Sequence, residues 1–163
     1  MIEVYRKQYD VDCFSAILFS HESPLRPQHF VSQKIIRGAC AIAKGKQDKL
    51  HLGNLSTKRD WGWAPEYVKA MEKMLTLEEP RDVILATGKL NRLEAFVAQA
   101  FATVGLDWQK HVVIDEQLYR PNDGSHPLAE TKDATQYLGW TATTTMTGVV
   151  RNMVDACQSH IRY

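Results

Sequence analysis

Short apolar runs alternate with amphipathic helical patterns along this chain, and that alternation limits its fold more than any other feature. Four runs have the length of buried strands, at residues 13–19, 49–53, 82–86 and 111–114. Apolar residues at helical spacing lie between these runs and after them. Short strands separated by helices are typical of α/β proteins, in which strands pair side by side beneath helices. We therefore predict an α/β fold.

The helical patterns have recognisable ends. Pro65 suits the first position of a helix, because proline lacks the N–H that this position leaves unused. Asn91, followed three residues later by Glu94, predicts a capping arrangement at another helix start. Residues 1–9 are interpreted as the end of a helix. The other predicted helices cover residues 30–44, 65–77, 93–104, 132–138 and 147–160.

Composition excludes several classes of function. The chain has 163 residues, enough for one domain with a core of its own. Its net charge of +1 indicates no general attraction to nucleic acid or membranes. No apolar run approaches the roughly 20 residues of a membrane span, and no signal peptide is evident, so we expect a cytoplasmic protein. Three widely spaced cysteines predict reduced thiols and no metal site, with Cys40 and Cys157 as buried apolar side chains.

The stretch at residues 52–71 is the strongest candidate for a binding site. A Gly-Asn turn and a basic pair lead through an aromatic loop into the helix that begins at Pro65. Arg59 can reach a phosphate with two parallel N–H bonds, a geometry that lysine cannot copy. The alternative is a structural turn in which Arg59 and Asp60 form an exposed ion pair, worth at most about 1 kcal/mol.

Three other clusters carry suitable side chains. His21 and Arg26 lie in a predicted loop directly after a buried strand, where ligands collect in open α/β sheets. Lys34 lies near a helix start, where free N–H groups also favour anions. Arg120 and Asp123 flank a Pro-Asn pair. Taken alone, these residues would be interpreted as ordinary solvated surface residues rather than as a binding site.

Together these motifs resemble those of the GDP-mannose 4,6-dehydratases, a family of the extended short-chain dehydrogenases/reductases. The resemblance is carried by Leu-Gly-Asn-Leu-Ser-Thr-Lys-Arg-Asp-Trp, His-Glu-Ser-Pro-Leu-Arg, Phe-Val-Ser-Gln-Lys-Ile and Arg-Pro-Asn-Asp. It implies that His21 and Arg26 help to hold NADP. It also implies a GDP-sugar pocket, with GDP-mannose or another GDP-sugar as ligand, formed by Ser20, Val31, Lys34, Leu52, Asn54, Arg59, Arg120 and Asp123.

The resemblance covers only the C-terminal half of that family. Neither Gly-x-x-Gly-x-x-Gly nor Tyr-x-x-x-Lys occurs in the sequence. The family's reaction needs a base for the sugar hydroxyl and an acid for the leaving water, and no residue here matches either. We therefore expect a single domain over residues 1–163: part of a Rossmann-type sheet plus the small substrate-binding domain, without the dinucleotide-binding half. By itself it is expected neither to bind NADP nor to catalyse.

Three interpretations of function remain open. The chain is a fragment or one half of a split GDP-mannose 4,6-dehydratase, or a non-catalytic nucleotide-sugar-binding or oligomerisation module, or a protein with an unrelated role on the same scaffold. Drift from activity is indicated by five departures from the family pattern, at Ser20, Gln33, Trp63, Asn91 and Glu94.

The predicted strands at residues 14–19 and 82–86 belong to a larger parallel sheet in that family. Without its other strands, their apolar edges and faces are expected to be exposed. We expect a homodimer, a missing N-terminal half or a rearranged first segment to cover them.

Overall fold

The computed structural model describes residues 1–119 and 127–159, and it confirms an α/β fold. No helix within these ranges is long and apolar enough to cross a lipid bilayer. Two short 3-10 helices lie at Trp108–Lys110 and Glu116–Leu118. The helices and strands, in chain order, are α1 Ile2–Tyr9, β1 Ser15–Leu18, β2 Ser20–Glu22, α2 Val31–Ala43, β3 Leu50–Leu52, β4 Lys58–Trp63, α3 Ala64–Met74, β5 Asp82–Leu85, β6 Leu90–Arg92, α4 Leu93–Thr103, β7 Val112–Ile114, α5 Lys132–Leu138 and α6 Met146–Gln158.

The described strands form three small sheets. β1 pairs with β5 and β3 with β7, both in parallel. β4 lies at the centre of the third sheet, parallel to β2 on one side and antiparallel to β6 on the other. Only Phe19 separates β1 from β2, and its N–H donates to the carbonyl of Leu85 at 3.1 Å. One extended segment therefore leaves the first sheet and enters the third.

The described residues form two hydrophobic clusters. The larger one packs α2, α4 and α6 together, with β3 and Trp61 of β4 among them. Ile35, Phe96 and Val149 are completely buried there. The smaller cluster packs α3 and α5 against β5, with Tyr67 of α3 at 1% exposure. The apolar faces that predicted the helices are thus the faces that form the two clusters.

The predicted burial is confirmed for Cys40, whereas Cys157 is only partly buried. Cys40 on α2 is buried, and Cys157 on α6 packs against the same residues. The hydrogen bond with Cys157, together with burial, raises the pKa of the Cys40 thiol. These two side chains serve as small apolar residues between α2 and α6.

Two segments predicted as loops are strands. Residues 20–22 form β2 and residues 58–63 form β4, and they pair with Ser20 opposite Trp61 and Glu22 opposite Trp63. Neither segment shows the strict apolar alternation of a half-buried strand, because β4 carries charged residues and glycine. Their partners lie about forty positions away, so the local pattern contains no signal of the pairing.

The predicted cap at Asn91 is also wrong. Asn91 lies in β6 opposite Arg59, and its side-chain amide donates to the carbonyl of Lys89 at 3.3 Å. Arg92 occupies the capping position of α4 and makes no side-chain capping bond. The N–H of Glu94 instead donates to the carbonyl of Leu55 at 3.0 Å. Because Asn91 pairs with β4 as part of β6, its side chain does not cap α4.

Asp60 of β4 is buried rather than part of an exposed ion pair. Its side chain accepts from the N–H of Thr87 at 3.0 Å, the hydroxyl of Thr87 at 2.7 Å and the N–H of Lys89 at 3.2 Å. Thr87 and Lys89 lie between β5 and β6. The carboxylate therefore fastens the connection from the first sheet onto the central strand of the third.

The structure exposes apolar surface on β1, as predicted from the sequence. Ile17 of β1 is 47% exposed, and α1 contributes no buried residue. An apolar groove lies between β1 and α3, lined by Phe14, Ala16, Val68, Met71, Glu72, Met74 and Leu75. What covers this surface stays a prediction.

We predict that Asp60→Asn lowers the free energy of unfolding by about 2 kcal/mol, because the amide cannot accept from all three donors. Asp107→Asn is the matched control, since Asp107 is exposed and its carboxylate accepts from a single N–H among the described residues, that of Gln109. Urea unfolding followed by circular dichroism measures both. Equal stability losses in the two variants would contradict the role given to Asp60.

Glu66 fastens the start of α3 to the segment before α6. Its carboxylate accepts from the N–H and hydroxyl groups of Thr143 and Thr144, at distances of 2.5–3.2 Å. Burial alone raises the pKa of Glu66, but the hydrogen bonds from Thr144 and Thr143 outweigh it and hold the pKa below the ordinary 4.5. A lowered pKa means that this contribution to stability is complete above pH 4.5 and is lost as the pH falls through the folded-state value.

We predict that Glu66→Gln reduces the free energy of unfolding at pH 7 by about 1 kcal/mol. The difference between the variant and the original protein should shrink as the pH drops below 4.5, because the carboxylate becomes protonated in both states. Chemical denaturation at a series of pH values tests this. A difference that stays constant with pH would show that the charge of Glu66 is not what stabilises the contact.

Candidate functional site

A cleft of about 670 Å³ lies beside the larger cluster. It is bounded by the end of β2, the start of α2, the turn between β3 and β4, and the segment after β7. It brings together seven of the side chains predicted from the sequence: Ser20, Arg26, Val31, Lys34, Leu52, Asn54 and Arg59. Arg120 and Asp123 lie outside the described residues, so their predicted roles stay predictions.

His21 is the exception among the described candidates, because it is not one of the residues that line the cleft. Its ring stacks on Tyr67, with centroids 5.4 Å apart, and Nδ1 lies 2.9 Å from the carbonyl oxygen of Phe19. The Tyr67 ring in turn sits against Gly62, where any added Cβ would collide with it. His21 thus packs towards α3, and its predicted contact with a cofactor remains a prediction.

The cleft concentrates positive charge. Arg26, Lys34 and Arg59 all line it, and Lys34 is exposed to solvent. The first turn of α2 faces the same space through Val31 and Ser32, and no side chain caps that helix. Free N–H groups at a helix start attract anions. These groups together suit a ligand with at least two negative charges.

Glu22 is a cleft residue that the sequence reasoning missed. Its side chain is 3% exposed, and Oε2 accepts from the hydroxyl of Ser32 at 2.8 Å and lies 3.4 Å from Nε of Arg26. Burial raises the pKa of Glu22 above its ordinary 4.5, against the lowering effects of Ser32, Arg26 and His21. The spacing of four from Arg26 was the available signal, but it predicts contact only within a helix.

Phe30 holds the other side of Arg26. The guanidinium carbon lies 3.6 Å from the centre of the Phe30 ring, a cation–π contact. The terminal nitrogens of Arg26 make no hydrogen bond to any residue within 1–119 and 127–159. Arg26 is therefore held by its face and by the charge of Glu22, although its buried Nε makes no hydrogen bond to a described residue.

The turn between β3 and β4 forms the opposite wall. Leu52 is buried, and its carbonyl accepts from the N–H of Asp115 at 2.8 Å. Gly53 approaches the next segment so closely that an added Cβ would lie 2.8 Å from the carbonyl oxygen of Leu118. Asn54 accepts from the N–H and hydroxyl of Ser56 at 2.9 and 2.7 Å. Gln117, Leu118 and Tyr119 complete this wall and were not predicted.

Gln33, a departure noted in the sequence, lies outside the cleft lining. It is buried at 5% exposure, and its amide donates to the carbonyl of Pro24 at 3.3 Å. This bond anchors the segment between β2 and α2, which carries Arg26. Trp63, another departure, packs against the larger cluster. Both substitutions therefore have structural roles here.

Comparison with characterised sequences identifies relatives over nearly the whole chain. The GDP-mannose 4,6 dehydratase family model matches residues 1–153. GDP-mannose 4,6 dehydratase 1 of Arabidopsis thaliana is 40% identical over 151 residues, which are 93% of this chain and 42% of the plant protein. GDP-mannose 4,6-dehydratase of Sinorhizobium fredii is 37% identical over 175 residues, covering 97% of this chain and 50% of the bacterial protein.

Solved structures share the fold at lower sequence identity. RMD from Pseudomonas aeruginosa, complexed with NADPH, superposes with a TM-score of 0.88 at 15% identity and covers 98% of this chain and 53% of that one. UDP-glucose 4-epimerase from Thermotoga maritima, with UDP-glucose, has a TM-score of 0.84 at 14% identity and covers 98% of this chain and 50% of that one.

The chain spans about half the length of the curated relatives it matches. Within that half, the family match includes every described residue of the cleft. The chain belongs to the GDP-mannose 4,6-dehydratase family.

Proposed function

We propose that this chain is the GDP-sugar-binding half of a GDP-mannose 4,6-dehydratase. The observation that carries the proposal is the convergence of Arg26, Lys34 and Arg59 with the uncapped start of α2 in one cleft. A nucleoside diphosphate sugar matches this arrangement, because its two linked phosphates need several cations and N–H donors. Membership of the family supports GDP-mannose as the particular ligand.

The diphosphate is proposed to lie between α2 and β4. Lys34 supplies a point charge from the first turns of α2, and Arg59 offers a planar fork from β4. Glu22 is the one carboxylate among the described residues that line the cleft, and it is paired with Arg26. Arg120 and Asp123 are proposed to add a diphosphate contact and a ribose contact.

The guanine base is proposed to lie against the turn between β3 and β4. The side-chain oxygen of Asn54 already accepts two hydrogen bonds from Ser56, so its amide nitrogen is the group left to donate to the base. Leu52 and Leu118 supply apolar contact at this wall. Such a mixture of apolar surface and a few directed polar groups is typical of nucleotide pockets.

We propose that the described residues form only part of an NADP site. Of the two residues predicted to hold the cofactor, Arg26 lines the cleft and His21 packs against Tyr67. The sequence also has no glycine-rich turn to take the cofactor's pyrophosphate. We therefore propose that the rest of the NADP site and the catalytic Tyr/Lys pair lie on polypeptide outside residues 1–163. Residues 1–163 alone are proposed to bind the sugar nucleotide without converting it.

Titration calorimetry with GDP and GDP-mannose tests the pocket. We expect micromolar dissociation constants, with Arg59→Ala weakening binding by roughly 10- to 100-fold because a forked phosphate contact is lost. Lys34→Ala should cost less and reduce the salt dependence of binding. Lys69→Ala is the matched control, because Lys69 is exposed on α3 and does not line the cleft.

The proposed pocket would be overturned if the unsubstituted protein, shown to be folded by circular dichroism, does not bind GDP at millimolar concentration. Together with a stable dimer, this result would favour a non-catalytic oligomerisation module. Equal binding by the Arg59 and Lys69 variants would place the ligand elsewhere.

A second candidate function, as a docking module, is favoured by the groove between β1 and α3. Val68 and Leu75 are 61% and 73% exposed there, beside the edge of β1 that pairs with no strand of residues 1–119 or 127–159. Parallel sheets are normally covered on both faces. We propose that the dinucleotide-binding half of the enzyme is the partner, because that half supplies the strands and helices that such a sheet lacks.

Mixing the chain with a separately expressed dinucleotide-binding half tests the docking proposal. We expect complex formation in sedimentation velocity and 4-keto sugar production from GDP-mannose. Leu75→Asp should weaken the complex by roughly tenfold or more, because it places a charge in an apolar contact. Leu128→Asp is the control, since Leu128 is 64% exposed but outside the groove. A monomer that binds neither the added half nor a hydrophobic dye would contradict the proposal.

A further inference from the structure

Glu22 is a buried charge at the end of β2, and the ligand contacts proposed above do not use it. Its side chain is 3% exposed, yet it lines the cleft together with cationic groups. Burying a carboxylate is unfavourable unless a charge or hydrogen-bond donors compensate for it. The compensation here comes from two groups that also line the cleft, Ser32 and Arg26.

Both contacts converge on one atom. Oε2 of Glu22 accepts from the Ser32 hydroxyl at 2.8 Å and lies 3.4 Å from Nε of Arg26. Ser32 belongs to the first turn of α2, whereas Arg26 lies on the segment before that helix. Glu22 therefore links β2, the connecting segment and the start of α2.

The guanidinium of Arg26 contacts the protein through Nε and its flat face, but not through its two terminal nitrogens. Nε faces Glu22, and the flat face lies 3.6 Å from the centre of the Phe30 ring. The terminal nitrogens have no hydrogen-bond partner among residues 1–119 and 127–159. Nε is buried and makes no hydrogen bond, so the ion pair with Glu22 and the contact with Phe30 are what restrict the orientation of the forked end.

Clamping of this kind affects affinity through entropy. A free arginine side chain loses up to about 2 kcal/mol of rotamer freedom when a ligand orders it. If the folded protein has already ordered the arginine side chain, ligand binding does not include this loss of rotamer entropy.

We propose that Glu22 is a positioning residue, which holds Arg26 in the orientation that receives an anionic group of a nucleotide ligand. The identity of the ligand rests on the function proposed above, whereas the ordering of Arg26 does not. Glu22 itself is not proposed to touch the ligand.

Two effects of neutralising Glu22 would change the ligand affinity in opposite directions. A carboxylate near an anion site repels the ligand, so simple Coulomb attraction predicts tighter binding when Glu22 is neutralised. Loss of positioning predicts weaker binding. We expect weaker binding, because the charge of Glu22 is already offset by Arg26 at 3.4 Å and the clamp is lost when the carboxylate is replaced.

The first experiment needs no ligand. The ¹⁵N–¹H signal of Arg26 Nε, assigned through its absence in Arg26→Ala, reports the order of that group on the picosecond-to-nanosecond timescale. We expect a rigid Nε in the original protein and a mobile one in Glu22→Gln, which keeps the side-chain shape. Glu130→Gln is the matched control, because Glu130 is exposed and does not line the cleft. An Arg26 Nε that is equally rigid in both variants would overturn the proposal.

The second experiment is a double-mutant cycle, with GDP and inorganic pyrophosphate as probes in titration calorimetry. We expect Arg26→Ala to weaken binding roughly tenfold and Glu22→Gln roughly three- to tenfold, with the double variant no weaker than Arg26→Ala alone. Such non-additivity is the signature of a residue that acts through another. Additive losses, or tighter binding by Glu22→Gln, would overturn the positioning role.

The two experiments separate this inference from the proposed function. If the original protein binds neither probe but Glu22→Gln still releases Arg26, the pocket assignment fails and the positioning of Arg26 stands. If the original protein binds GDP and Glu22→Gln changes neither affinity nor Nε order, the pocket stands and the inference fails.

Discussion

The three hydrogen bonds that Asp60 accepts are the contact on which the rest of the structure depends. They fasten the Thr87–Lys89 connection to β4, the central strand of the sheet beside the cleft. β4 in turn pairs with β2 and β6 and places Arg59 in the cleft. A buried carboxylate with several donors resists displacement, because any movement leaves a charge without partners. The two hydrophobic clusters are thereby held in one arrangement.

The cleft follows from where these fastened segments end. β2 stops at Glu22, the next segment carries Arg26, and α2 begins at Val31 without a side-chain cap. Each of these chain ends leaves polar groups that its own element does not use. Because the ends meet beside the turn at Gly53, the unused groups face one space. The anion site that we propose there depends on backbone geometry and a few cations rather than on any large charge on the protein as a whole.

Helices were predicted well, and strands less well, for a definite reason. The stripe of apolar residues on α2, with Ile35 and Ala39, matches the buried face in the structure. The pairing of residues 20–22 with residues 61–63 was missed because neither segment shows a strand pattern by itself. For the site, the cationic residues were predicted through recognisable motifs. Glu22 was missed because its partners became neighbours only through β2, which the sequence pattern did not show.

The sequence by itself determined the helical segments, the α/β class, the cationic residues of the cleft and the resemblance to one enzyme family. Each of these depends on residue type or on spacing within a few positions. Tertiary structure alone decided that Asp60 is buried, that His21 turns towards Tyr67, and that Glu22 and Arg26 face each other. These outcomes depend on strand pairing and on charges removed from water, whose energies exist only once distant segments have come together.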